Sequence, residues 1–92
     1  MDDARLAAAR AETLAGRGNG DQAIRFDLEQ RGIEAAAVEQ ALANLEPEAA
    51  RAAALVRRLG RTAKTAAQLR RKGFSEDSLE SAIGAAIAAG GA

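Results

Sequence analysis

A stretch of the chain, residues 28–42, recurs 41 positions later as residues 69–83. Each copy passes from a helix-like stretch through a basic residue, a glycine, a large apolar residue and an acidic turn into a second helix-like stretch. The matched positions are Leu28, Arg31, Gly32, Ile33, Val38, Ala41 and Leu42 in the first copy, and Leu69, Lys72, Gly73, Phe74, Leu79, Ala82 and Ile83 in the second. Such a repeat indicates one supersecondary unit that is duplicated and placed beside itself, and units of this kind usually offer surface for binding.

The composition predicts an all-α protein. Ala, Leu, Arg and Glu favour helices, whereas β-branched residues are scarce and there is only one proline. Together with the repeat, this predicts two tandem three-helix repeats, helix-turn-helix-like, over residues 1–45 and 46–92. The six predicted helices cover residues 3–15, 21–31, 34–45, 47–59, 62–72 and 76 onward, the last one fraying near Gly90 and Gly91.

Capping residues predict where several of these helices begin and end. Gly32 and Gly73 stand just past two predicted helix ends, where a left-handed backbone is needed. Ser75 is a predicted N-cap, and Pro47 is expected at the first helical position of the fourth helix. Two apolar pairs are expected to staple helix starts, Ile33 with Val38 and Phe74 with Leu79.

Several kinds of catalytic and metal site are excluded or disfavoured. The chain has no cysteine and no histidine, which excludes disulfides, Cys/His zinc sites and histidine-based acid–base catalysis. The glycine-rich run 16–20 follows a helix and lacks the Lys-Ser/Thr of a nucleotide loop, so we interpret it as a helix–helix turn. Paired carboxylates such as Glu46 with Glu48 lie at predicted helix starts, where the helix dipole explains them. We therefore expect no enzyme, cofactor, metal or small-molecule substrate.

The sequence has no feature typical of a membrane or secreted protein. No apolar run approaches 18 residues, and the N-terminus is acidic where a signal peptide would be basic. We expect a soluble, cytoplasmic chain with no membrane partner.

Charge is strongly polarised along the chain, although the net charge is zero. Residues 51–72 contain eight basic residues and no acidic one. Facing outward on helices, these side chains would neutralise phosphates or an acidic protein groove, although a basic helix face is often only solvated. The predicted partner- or DNA-binding residues are Arg51, Arg57, Arg58, Arg61, Lys64, Arg70, Arg71 and Lys72.

The third helix of each repeat does not favour base-specific DNA reading. These helices begin with acidic or small residues, among them Glu34, Glu76 and Asp77, which the DNA phosphates would repel. The two aromatic residues are too few for a base-stacking platform. Phe74 is expected to be a staple, and Phe26 is expected either to pack on the neighbouring unit or to be exposed.

Both copies of the repeat resemble a known family. Residues 24–33 with Val38, Ala41 and Leu42 look like the middle repeat of RecX regulatory proteins, and residues 69–75 with Leu79 and Ile83 resemble the C-terminal repeat of that family. The resemblance covers nearly the whole chain, although its motifs are short.

The resemblance implies a bacterial regulator of the RecA recombinase. Such proteins are built of three-helix repeats, lie in the groove of the RecA–DNA filament, limit filament growth, and suppress strand exchange and ATP hydrolysis. Some also bind single- or double-stranded DNA. The alternative interpretation is a generic helical adaptor, or a protein that binds nucleic acids without sequence specificity.

Overall fold

The structure, a computed structural model, describes the backbone of residues 2–89 and the side chains of residues 2–84. The described part of the chain is all-helical, with six helices and no strand, which confirms the predicted fold class. The predicted fraying at Gly90 and Gly91 lies outside the described residues. The helices are α1 (Asp3–Gly16), α2 (Asp21–Gln30), α3 (Ala35–Ala43), α4 (Glu48–Leu59), α5 (Ala63–Arg71) and α6 (Glu76–Ala89).

The repeated sequence motif is a helix stop. Gly32 has a φ of 75°, and the N–H of Ile33 donates to the carbonyl of Leu28 at 3.2 Å. In the second copy Gly73 has a φ of 95°, and the N–H of Phe74 donates to the Leu69 carbonyl at 3.1 Å. Each is a Schellman motif, in which a left-handed glycine ends the helix and the next apolar side chain turns back to the core.

Side-chain caps set several helix starts. The Ser75 hydroxyl accepts from the N–H of Ser78 at 3.2 Å, which confirms Ser75 as the N-cap of α6. Asp2 accepts from the Arg5 N–H at 3.2 Å at the start of α1. Pro47 differs from the prediction by one residue, because α4 begins at Glu48 and Pro47 occupies the N-cap position.

Among residues 2–84, whose side chains are described, the buried apolar residues form one cluster within the α1–α3 unit and another within the α4–α6 unit. In the first cluster α1 packs chiefly on α3, and in the second α4 packs chiefly on α6. The predicted staple residues Ile33 and Val38 lie in the first cluster, and Phe74 and Leu79 lie in the second. The molecule is elongated, about 51 Å by 20 Å by 19 Å, because the two three-helix units are placed end to end.

Candidate interaction surface and the junction between the units

The two units meet where the end of α5 abuts the start of α2. The N–H of Gly20 donates to the Lys72 carbonyl at 2.7 Å, and the N–H of Gln22 donates to the Gly73 carbonyl at 3.2 Å. The free carbonyl end of α5 thus satisfies the free N–H end of α2, and the negative end of one helix dipole meets the positive end of the other. We call this contact, together with the side chains of Glu48 and Arg51, the junction.

Two glycines permit the close approach at the junction. A Cβ atom on Gly20 would lie 2.5 Å from the backbone of Gly73, and a Cβ on Gly73 would lie 2.6 Å from the nitrogen of Ala23. Real Cβ atoms do not come that close to backbone atoms, so any other residue at either position would force the units apart. Gly73 therefore both ends α5 and makes room for the first unit.

Glu48, the first residue of α4, binds both units through its carboxylate. One oxygen accepts from the backbone N–H of Asp21 at 2.7 Å. The other accepts from the Ser78 hydroxyl at 2.6 Å, and from the hydroxyl and N–H of Ser75 at 2.9 and 3.3 Å. Burial raises the pKa of Glu48, but the hydrogen bonds from Ser78, Asp21 and Ser75 outweigh it and hold the pKa below its ordinary value. One carboxylate thereby caps the starts of α2 and α6 together.

Arg51 belongs to the junction as well. Its guanidinium donates to the carbonyls of Glu46 at 2.8 Å and Asn19 at 3.1 Å, and it pairs with the carboxylate of Asp21. Its side chain is only 10% exposed. The expectation that Arg51 faces a partner therefore differs from the structure, which gives this cation to internal hydrogen bonds because it lies on the side of α4 that meets the first unit.

Arg70 is exposed but has a partner within its own unit. Its guanidinium contacts the carboxylate of Glu76 at 2.6 and 3.1 Å, which raises the pKa of Arg70 and lowers that of Glu76. An exposed pair of this kind contributes little to stability, because water screens the attraction between the two charges. Arg70 therefore reaches the surface with much of its charge compensated.

The other six predicted cations make no ion pair and no side-chain hydrogen bond with any residue that the structure describes. Two grooves lie beside the junction, and four of these six cations are exposed and line neither of them. We call these four residues the outer cations: Arg57, Arg61, Lys64 and Arg71. The remaining two, Arg58 and Lys72, line a groove beside the junction. The basic run is thus divided between the junction, a groove and an outward surface.

In the first unit most arginines are paired. Arg10 binds Asp27 through two contacts of 3.2 Å and Arg31 binds the same carboxylate at 2.9 Å, so the pKa of Asp27 is held below its usual range. Arg25 binds Glu39 through two contacts of 3.0 Å, joining α2 to α3. The uncompensated positive charge therefore concentrates on the second unit.

One cation outside the predicted set joins the groove. Arg17 follows α1 in the glycine-rich turn, and it lines the same groove as Arg58 and Lys72. Sequence reasoning missed Arg17 because it lies in the acid-rich half of the chain, far from the basic run. The only signal was a basic residue set between Gly16 and Gly18 in a turn.

The structure decides between the two alternatives that the sequence left open for Phe26. The side chain of Phe26 is 52% exposed, so of the two open alternatives the structure shows exposure. Among the described residues no group of acidic side chains could hold a metal ion. Within the same described stretch, none of the helices has both the length and the apolar character to cross a membrane.

Comparison with known proteins supports the family resemblance. The protein-family model described as the second three-helix domain of RecX matches residues 2–42, which span α1, α2 and nearly all of α3. The match confirms the recognition of that family for the first unit. None of the curated proteins matches the chain.

Proposed function

We propose that this chain, which belongs to the RecX family through its first three-helix unit, binds the RecA–DNA filament. In this role it limits recombinase activity in DNA repair and the SOS response. The RecX family is regulatory and acts on RecA. The match over residues 2–42 is the observation that carries the proposal. A RecA partner would place the chain in the cytoplasm, and the proposal includes no catalytic step, cofactor or small-molecule substrate.

The outer cations supply the proposed contact surface. Arg57, Arg61, Lys64 and Arg71 are exposed and unpaired within the described residues, so their charge is free to meet an acidic protein groove or phosphates. The junction supports this role, because it holds the second unit in a fixed orientation to the first. A two-unit body of fixed shape keeps more of its binding free energy than two loosely tethered units.

The functional test adds the purified chain to RecA and DNA and follows ATP hydrolysis and strand exchange. We expect both activities to fall as the chain is added. No effect at micromolar excess, with a sample that circular dichroism shows to be helical, would contradict the proposal.

A paired-variant experiment tests the surface. Arg57→Gln with Arg71→Gln removes two outer cations, whereas Arg5→Gln with Gln30→Glu changes the net charge by the same amount on the first unit. All four side chains are exposed and make no side-chain hydrogen bond to described residues, so both variants should stay folded. We expect only the first variant to lose inhibition, and equal inhibition by both would assign the contact to another surface.

A second candidate function is that of a generic helical adaptor, or of a protein that binds nucleic acids without sequence specificity and does not act on RecA. The unpaired cations favour it, since they would neutralise phosphates on any polyanion. Binding to single-stranded DNA that weakens steeply with salt, without any effect on RecA activity, would favour this candidate over the first.

A further inference from the structure

A groove of about 180 Å³ lies beside the junction and is lined by both units. The first unit supplies Arg17 and Gly18 from the turn after α1. The second unit supplies side chains from facing parts of α4 and α5, namely Leu55, Arg58, Leu59, Gln68, Leu69 and Lys72. The groove therefore exists only while the two units are docked.

The lining has the chemistry of an anion site. Arg17, Arg58 and Lys72 bring three positive charges, Gln68 brings amide N–H donors, and no carboxylate lines the groove. None of the three cations has an ion-pair partner in the described part of the chain. An unpaired cluster of like charges repels itself, so an anion that enters the groove relieves this repulsion and gains charge-assisted hydrogen bonds.

The neighbouring groove gives a useful contrast. It has a similar volume of about 190 Å³ and shares Gly18, Leu55 and Arg58, but it is also lined by Glu46 and Arg51. Arg51 is already bound to Asp21 and two carbonyl groups there. Of these two grooves, the one with Arg17 and Lys72 holds uncompensated charge from both units.

The apolar part of the lining strengthens the case. Leu69 is buried and Leu55 is partly buried. The side chain of Lys72 lies against the glycine turn, because a Cβ atom on Gly18 would lie 4.0 Å from the Cε atom of Lys72. Lys72 is partly buried beside these apolar walls, so water screens its charge less than the charge of an exposed cation. The planar guanidinium group of arginine can also donate two hydrogen bonds to the oxygens of one phosphate group.

We propose that this groove binds a phosphate group and that the bound phosphate clamps the two units together. The group would come either from a nucleic-acid backbone or from a free phosphate compound. This is not a glycine-loop site of backbone N–H groups, because the charge comes from side chains on three separate segments.

The test measures binding of pyrophosphate and of a short oligo-dT by isothermal titration calorimetry, together with the melting temperature of the chain, all without RecA. We expect binding and a rise in melting temperature, because a ligand that binds only the folded state stabilises it. Binding of both probes indicates a general phosphate site, and binding of oligo-dT alone indicates a backbone phosphate. Binding of neither probe would overturn the proposal, whatever the RecA assays show.

An exposed cation of the first unit supplies the matched control. Arg58→Gln and Lys72→Gln change the groove, whereas Arg5→Gln removes the same charge from the surface of α1, away from the groove and from the outer cations. We expect the groove variants to weaken binding about tenfold each, and the control to change it less than about threefold. Equal losses in the groove variants and the control would show a diffuse basic surface and would overturn the proposal.

The Arg17→Gln variant tests whether the bound phosphate clamps the two units, because Arg17 is the cation that the first unit contributes to the groove. Arg17→Gln should abolish most of the ligand-induced rise in melting temperature, whereas Arg5→Gln on the surface of α1 should preserve it. A rise that persists in full in Arg17→Gln would contradict the bridging of the two units by the ligand.

Discussion

The carboxylate of Glu48 accepts a hydrogen bond from the backbone N–H of Asp21, 27 residues earlier in the chain, at 2.7 Å. The same carboxylate caps the start of α6 through Ser75 and Ser78. A single side chain in this way links the start of α2 in the first unit to the second unit. The orientation of the proposed contact surface therefore depends on residues that lie outside that surface.

Glu48→Gln should lower the free energy of unfolding by about 1–3 kcal/mol. Both carboxylate oxygens accept backbone N–H groups, and an amide NH₂ cannot accept in place of either oxygen. Urea unfolding followed by circular dichroism measures the change. The control is Glu46→Gln, an exposed side chain without a hydrogen bond to described residues, which should stay within about 0.5 kcal/mol of the parent chain. Equal stability of the two variants would show that the carboxylate does not hold the junction.

Stability should fall as the pH falls below about 5. The pKa of Glu48 is lower in the folded chain than the unfolded value of about 4.3, so its contribution is complete above that value and is lost as the pH falls through the folded pKa. Asp27 adds a contribution of the same sign, because the Arg10 guanidinium lowers its pKa. Urea midpoints between pH 3 and 7 should therefore decline toward acid in the parent chain and less steeply in Glu48→Gln. Identical pH profiles would contradict the role of Glu48.

Gly20→Ala should destabilise the chain, whereas Gly16→Ala should not. The new Cβ at Gly20 would meet the backbone of Gly73 at 2.5 Å, but nothing lies within 4 Å of a Cβ at Gly16. Overpacking of this kind costs about 1–3 kcal/mol, while an unhindered glycine-to-alanine change at the end of a helix stabilises by about 0.4–1 kcal/mol. Thermal melts of the two variants should move in opposite directions. A Gly20→Ala melt at or above that of the parent would mean that the units do not dock at this contact.

Arg51→Gln should reduce stability rather than partner binding, because its guanidinium holds Asp21 and the carbonyl groups of Asn19 and Glu46. We expect a loss of about 1–3 kcal/mol in the free energy of unfolding. Arg57→Gln, on the same helix but exposed, should change stability by less than about 0.5 kcal/mol. The opposite order, with Arg57 the more important for folding, would show that the two residues have been assigned to the wrong sides of α4.

Local signals in the sequence predicted the helices and their ends well. Gly32, Gly73 and Ser75 act on backbone groups within six residues of themselves, so their roles are readable from the sequence alone. The start of α4 was misplaced by one residue, because proline fits both the N-cap and the first helical position. The charge difference between the two halves was equally visible.

The junction could not be predicted in the same way. Glu48 looked like an ordinary acidic residue at a helix start, since its partners Asp21 and Ser78 lie 27 and 30 positions away. The basic run showed how much charge is present but not which way each side chain points. Arg51 therefore looked identical to Arg57, and the contribution of Arg17 to the groove depends on the docking of the two units.

The most direct test of the account is a pull-down of RecA by the immobilised chain, with RecA either free or assembled on DNA. The account predicts strong retention of the assembled filament, weak retention of free RecA, and loss of filament binding in the Arg57→Gln, Arg71→Gln variant but not in the Arg5→Gln, Gln30→Glu control. Retention of neither form of RecA by a folded chain, or equal retention by the two variants, would contradict it.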